Sequence, residues 1–389
     1  MKRSAEIQKV LIVLEMILLS IVFGGAASAA NGTLLRQDVG LYPRAIRLEH
    51  NGAANGRIIA SVVTFSQNNG LGAIYESTND GSSFTQVGTI ADWQSAGGRG
   101  LCCATLYELP QRVGKLQAGT LLWAASTGQD TPNRRMAIRV WKSKDRGRDW
   151  SYLSTIAAAP NTRGLWEPEF SVAADGKLVC HYADETDSRF SQKLVSVRTS
   201  NGRNWINYNH TVASSLPSDR PGMPVVRKLP NGTYFMSYEI CIPDGQFRCA
   251  VHYRTSADGW NWGEPTFSGI RPETADGKYF KHAPTIAWSS SPAPTGKILL
   301  IGQILYNANG TTAAGNGRTI FTNTNNGAGT WTEIAAPVAV VNPFDNYCPN
   351  YSSTLLPSID GENVFEIATD YYGKTCKAYF ASGALGNLK

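Results

Sequence analysis

Two glutamates have the residue type and setting to act as a chemical pair: Glu167 in Trp166-Glu167-Pro168, and Glu239 in Tyr238-Glu239. A neutral carboxyl can protonate a departing oxygen while an ionised one attacks carbon or activates water, as hydrolysis of a glycosidic bond requires. A carboxyl separation of ~5–5.5 Å would give retention of configuration, and ~6.5–9.5 Å inversion. The residues around the pair suit a sugar. Trp166 and Tyr351 offer ring faces for C–H surfaces, and Arg44, Asp184, Glu185, Arg220 and His282 offer hydrogen bonds to hydroxyls. A carboxylate such as Asp184 or Glu185 beside Glu167 would raise its pKa, which general-acid work requires. Glu169, two residues on and on the same side of a strand, is expected to prop the structure through a buried pair with an arginine.

These residues recur at one position of a repeated frame. An apolar run starts near Tyr42, Leu101, Trp166, Pro221, His282 and Tyr351, and most of these runs reach a turn signal such as Asn55-Gly56, Asp175-Gly176, Asn231-Gly232 or Asp360-Gly361. Six copies at 55–69-residue spacing imply a radially repeated all-β domain, here a six-bladed β-propeller of four-stranded antiparallel blades. In the fourth repeat the strands are expected at Met223–Leu229, Tyr234–Glu239, Ala250–Thr255 and Thr266–Gly269. The sixth repeat lacks one strand before the chain ends, and Thr33–Arg36 is unassigned, so this segment is expected to complete the last blade and close the ring. In such a ring the starts of all first strands face one end of the central tunnel.

A second frame links the third and fourth strands: a hydroxyl, an acid or amide, a glycine and a terminal aromatic. It is clearest in Ser143-Lys144-Asp145-Arg146-Gly147-Arg148-Asp149-Trp150 and Ser77-Thr78-Asn79-Asp80-Gly81-Ser82-Ser83-Phe84. It resembles the Asp-box of sialidase-like propellers, and its role is local, closing a turn and plugging the seam between sheets.

Composition bounds the rest. The net charge of +6 is spread without a basic run, so no nucleic-acid partner is expected. Lys2, Arg3 and Lys9 precede the apolar stretch 10–23, and Ala27-Ser28-Ala29 offers a cleavage site. Residues 1–29 are therefore expected to be a signal peptide, and 30–389 a single secreted catalytic domain, monomeric and free of membrane after cleavage. Seven cysteines suit an oxidising compartment. Cys241 with Cys249 and Cys348 with Cys376 are candidate pairs, while Cys102-Cys103 is either a vicinal bridge or one paired and one buried thiol. Cys180 is expected as a buried thiol. Neither a CxxC nor a His-rich spacing occurs, so no metal or other cofactor is expected.

Trp166-Glu167-Pro168, Tyr182-Ala183-Asp184-Glu185, Asp219-Arg220-Pro221-Gly222-Met223-Pro224, Lys228-Leu229-Pro230-Asn231-Gly232 and Tyr238-Glu239 together resemble glycoside hydrolase family 93. The resemblance covers the mature chain in architecture and is sharpest in repeats three and four. It implies a secreted six-bladed exo-α-1,5-L-arabinanase that releases arabinobiose from arabinan or arabino-oligosaccharides with retention. By it Glu167 would be the general acid/base and Glu239 the nucleophile, and Tyr351 takes the place of a tyrosine that hydrogen-bonds the nucleophile. Glu169 and the insertion bounded by Cys241 and Cys249 depart from the pattern. The alternatives are a sialidase with Tyr351 as nucleophile and a non-catalytic sugar-binding propeller.

Overall fold

The second strand of most repeats is apolar on both faces, and a strand of that kind needs cover on both sides. In the computed structural model, which describes residues 30–292 and 294–386 of the chain, neighbouring sheets supply it. Leu121–Thr127 and Leu178–Asp184 are buried along their whole length. Six antiparallel sheets stand around an axis, with first strands Leu41–Arg47, Leu101–Glu108, Leu165–Val172, Arg220–Lys228, Thr285–Ser289 and Thr354–Pro357. This is the six-bladed propeller the repeat implied. The proposed signal segment lies outside the described residues.

The ring closes by a strand from the other end of the chain. Thr33–Leu34 pairs with Thr375–Ala384, in the register Thr33 to Phe380 and Leu34 to Tyr379, and becomes the fourth strand of blade six. Blade four departs from expectation. Thr266–Gly269 is not its fourth strand, because Pro265 turns the chain and gives its carbonyl to Ala213 of blade three. Only an isolated bridge joins Tyr253 to Ile270, and Tyr279–Lys281 with Ile304–Tyr306 extends the sheet instead.

Aromatics seal the seams between blades. In the blade-two turn Ser143 Oγ accepts from Gly147 N at 2.8 Å, and Asp145 Oδ1 accepts from Asp149 N at 3.0 Å. Gly147 sits at φ 88°, a conformation costly for a residue with a Cβ. The aromatic ending such a turn reaches the next sheet: Phe84 of blade one meets Phe380 of blade six at 5.1 Å, and Trp205 of blade three donates to Ser154 Oγ of blade two at 3.1 Å. Disulfides join Cys102 to Cys103, Cys241 to Cys249 and Cys348 to Cys376, leaving Cys180 as a buried thiol.

One feature of the first strands positions the site. Each carries, at or just before its start, a non-glycine residue with positive φ: Tyr42 (50°), Cys103 (60°), Glu167 (58°), Met223 (58°), Ala283 (46°) and Ser352 (56°). In blades one to four the ladder register shifts at this residue, which marks a β-bulge. Pro43, Pro168, Pro224 and Pro284 follow in four blades, where a missing N–H breaks no ladder bond. Each such residue costs on the order of 1 kcal/mol or more, held by the surrounding sheets. Several of these side chains meet at the axis. The hydroxyls of Tyr42 and Tyr351 both point to Met223 Sδ, at 3.6 and 3.7 Å, and close the tunnel beneath a cavity.

Candidate active site

The cavity above this plug measures about 810 Å³ and is lined by blades one, two, three, four and six. Glu167, carried inward by its bulge, accepts a hydrogen bond from the backbone N–H of Met223 at 2.6 Å. Glu239, near the end of the second strand of blade four, accepts from the Ala283 N–H at 2.7 Å. Both acceptors are thus anchored on the positive-φ residue of the following blade. The residue paired with Glu239 across the ladder is Gly222. A Cβ there would stand 3.3 Å from Glu167 Oε2, 3.9 Å from Glu239 Oε1 and 2.7 Å from Gln192 Nε2. The missing side chain leaves the gap the two carboxyls share, and their oxygens lie no more than about 7 Å apart.

Burial in this gap makes ionisation costly. Desolvation pushes the Glu167 carboxyl up to about 7, against the Met223 N–H, with Glu185 adding repulsion. Desolvation and then the charge of Glu167 push Glu239 up to about 8. The two carboxyls share one buried gap and repel each other when both are charged, so they titrate as a pair that holds a single proton over an intermediate pH range.

The remaining expected site residues divide into three groups. Trp166, Glu185, Arg220 and Tyr351 line the cavity with Glu167. Arg220 pairs with Glu185 and bonds Gln192 Oε1 at 2.7 Å, while Glu185 also accepts from Gly164 N at 2.8 Å. Arg134 lies over the Trp166 ring at 5.5 Å. Tyr351 does not bond Glu239; its hydroxyl is turned to Met223 Sδ. Burial and the two glutamates hold its pKa well above the ordinary value, so it stays protonated.

His282 stands behind Glu239, with Nδ1 3.9 Å from Oε2 and Nε2 3.6 Å from Asp345 Oδ2. Burial lowers its pKa and favours the neutral ring. Cys241, Cys249 and His282 are close enough to share an ion, yet both sulfurs are in a disulfide.

Arg44 and Asp184 lie outside the cavity. Arg44 is buried below its floor, donating to the carbonyls of Pro43 at 2.7 Å and Ser352 at 3.2 Å. Asp184 is buried against Tyr208 and the Thr186 N–H. Glu169 also sits below the floor, where Arg227 Nη1 donates to it at 3.0 Å and Thr105 Oγ1 at 3.3 Å. This is the arginine pair expected for Glu169, and it leaves Glu167 as the carboxyl on the cavity side. Sequence reading missed Gln192, Gly222, Asp130 and Lys374. Gly222 alone had a signal, as the residue before the bulge at Met223 in the Pro221–Pro224 segment.

No protein-family model and no curated protein sequence matches this chain. Solved structures do. The alpha-L-arabinanase of Penicillium chrysogenum, complexed with arabinobiose, superposes with a TM-score of 0.74 at 27% identity, covering 92% of this chain and 98% of that one. The GH93 alpha-L-arabinofuranosidase of Fusarium graminearum, also with arabinobiose, gives 0.72 at 23%, covering 93% and 99%. The Hadza microbial sialidase Hz136 gives 0.57 at 14%, covering 89% and 66%, a likeness of fold alone. Across nearly its whole described length the chain is similar in structure to glycoside hydrolase family 93, as its motifs in blades three and four imply.

Proposed function

We propose that this chain is a secreted, retaining exo-glycoside hydrolase that cleaves α-1,5-L-arabinan and releases arabinobiose. The observation that carries the reading is the pair Glu167 and Glu239, whose carboxyl oxygens both approach Gly222, with Glu167 lining the cavity. In this reading Glu167 gives its proton to the leaving oxygen while a carboxylate oxygen of Glu239 bonds the anomeric carbon. The glycosyl ester is then broken by water, whose proton returns to Glu167. A separation of no more than about 7 Å between these oxygens is compatible with the shorter spacing that retention uses. The likeness to an arabinanase at 27% identity supports the sugar. Blockage of the cavity floor by Tyr42, Tyr351 and Met223 supports action from a chain end.

A sialidase would hold its acidic substrate with unpaired arginines and attack with an activated tyrosine. Arg44 is below the floor, Arg220 is neutralised by Glu185, and Tyr351 is held protonated. The test is product analysis on debranched linear arabinan, with Glu239→Ala alongside the parent. Arabinobiose from the parent and none from the variant is the expected result. Cleavage of a sialoside with arabinan untouched would overturn it.

A further inference from the structure

The cavity is amphipathic in cross-section. Blades three and four contribute Glu167, Glu185, Gln192 and Arg220, whereas blades one and two contribute mainly Leu41, Val63, Phe65 and Leu101, with Gln129 and Asp130 as the polar groups on that side. Set in the apolar wall is the Cys102–Cys103 disulfide, both of whose residues line the cavity and are half-buried. Linking adjacent cysteines gathers two sulfurs and two Cβ atoms into one small ring, a rigid plate of polarisable atoms without a strong donor. Cys103 holds the bulge position of blade two that Glu167 holds in blade three, so the plate is the acid's neighbour around the tunnel. Nothing in the acid–base chemistry uses these sulfurs.

We propose that the Cys102–Cys103 disulfide is a sugar-binding platform: the C–H face of a furanose ring rests on it while the hydroxyls turn to Glu185, Gln192 and Arg220. Dispersion between sulfur and C–H groups, with water displaced from an apolar surface, supplies the attraction. A rigid plate also loses no side-chain freedom when the sugar docks. A sugar of the opposite polarity pattern would strand its hydroxyls against the sulfurs, so the plate selects ring face as well as binding it. This inference rests on the saccharide reading above.

The test uses arabinobiose and two double variants, with calorimetric binding and kinetics on arabino-oligosaccharide. C102A/C103G removes the plate and puts glycine where positive φ is required. C102A/C103M restores an apolar sulfur at a conformation that Met223 already adopts in blade four, φ 58°. The expected result is about tenfold weaker binding for the glycine variant, ~1.4 kcal/mol, with kcat near the parent's and partial recovery in the methionine variant. In the unaltered protein, saturating arabinobiose should also slow reduction of this disulfide by a phosphine several-fold, a measurement that needs no variant to fold. Parent-like binding by the glycine variant, or reduction unaffected by bound arabinobiose, overturns the platform while leaving the arabinan reading standing. A parent that binds no arabino-oligosaccharide overturns the arabinan reading itself and the platform with it.

Discussion

Replacing Glu167 by glutamine tests the division of labour between the two glutamates. Glutamine keeps the shape and can still accept from the Met223 N–H, but it neither donates a proton to the leaving oxygen nor carries charge. In the parent, with carboxyls at about 7 and about 8, the pair holds one proton only in a narrow window. The kcat/KM profile should therefore be a bell whose acid limb reports protonation of the second carboxyl and whose alkaline limb reports loss of the last proton.

In Glu167→Gln the charge that raises Glu239 is gone, so the Glu239 pKa falls below its parent value. One ionisation remains, activity appears above it, and the alkaline limb disappears. Against arabino-oligosaccharide the loss should be about 10²–10⁴-fold, the usual worth of a positioned acid. Against an aryl arabinoside, whose phenolate leaves without protonation, bond cleavage should survive and hydrolysis of the ester should become limiting, giving a burst of phenol. Two results would refute the reasoning: an alkaline limb that persists, or equal losses on both substrates. Either would place the proton donor elsewhere, with Glu185 a further carboxyl lining the cavity.

Three further outcomes are expected. Gly222→Ala puts a methyl 2.7 Å from Gln192 Nε2 and 3.3 Å from Glu167 Oε2; kcat/KM should fall at least about tenfold with little change in Tm, and parent-like kinetics would show that the gap does not space the carboxyls. Glu169→Gln weakens the bonds to Arg227 and Thr105 and should cost about 1–3 kcal/mol in denaturant unfolding with kcat retained, whereas a loss of kcat beyond about 10²-fold would make Glu169 the acid. Glu366 is wholly buried, its Oε2 bonded to Val338 N at 2.9 Å and its Oε1 without a partner, and burial raises its carboxyl from 4.5 to about 8. Between these values the folded chain keeps a proton that the unfolded chain has lost, so stability falls as pH rises. Glu366→Gln removes this component, and its Tm relative to the parent should be higher at pH 8 than at pH 5; a pH-independent difference would sink the assignment.

The architecture was legible because its signals are local and repeated. Six apolar runs with turn signals, and one leftover strand at the front of the chain, specify both the blade number and the closure. Blade four was misread where Thr266–Gly269 has a strand-like composition but Pro265 binds Ala213 of the neighbouring sheet, a tertiary contact no local pattern reports. In the candidate site, the nearness of Glu167 to Glu239 was legible because both acids stand beside aromatics at corners of adjacent blades. Arg44 and Asp184 were not sorted between cavity and support, since their partners, the Ser352 carbonyl for Arg44 and Tyr208 for Asp184, come from distant parts of the chain. The x-Pro step at Tyr42, Glu167 and Met223 was the available clue to the bulges of the first strands. Gln192 and Lys374 come from loops and hairpins whose approach to the axis follows from blade geometry alone.

Ring closure by Thr33–Leu34 on the final hairpin also has a consequence for how the molecule comes into being. The two partners are the first and last strands of the propeller, so a growing chain cannot seal the ring before Thr375–Ala384 has been made. Until then each completed blade offers an unpaired edge to other chains. The contact that ends this exposure spans almost the entire sequence, and such non-local pairing is slow to find. Yet lengthening a loop adds only about 0.6 kcal/mol per doubling, so the delay is mainly kinetic and the closed ring is not thermodynamically fragile for it. Nascent chains of this protein are therefore most exposed to misassociation just before the last hairpin emerges.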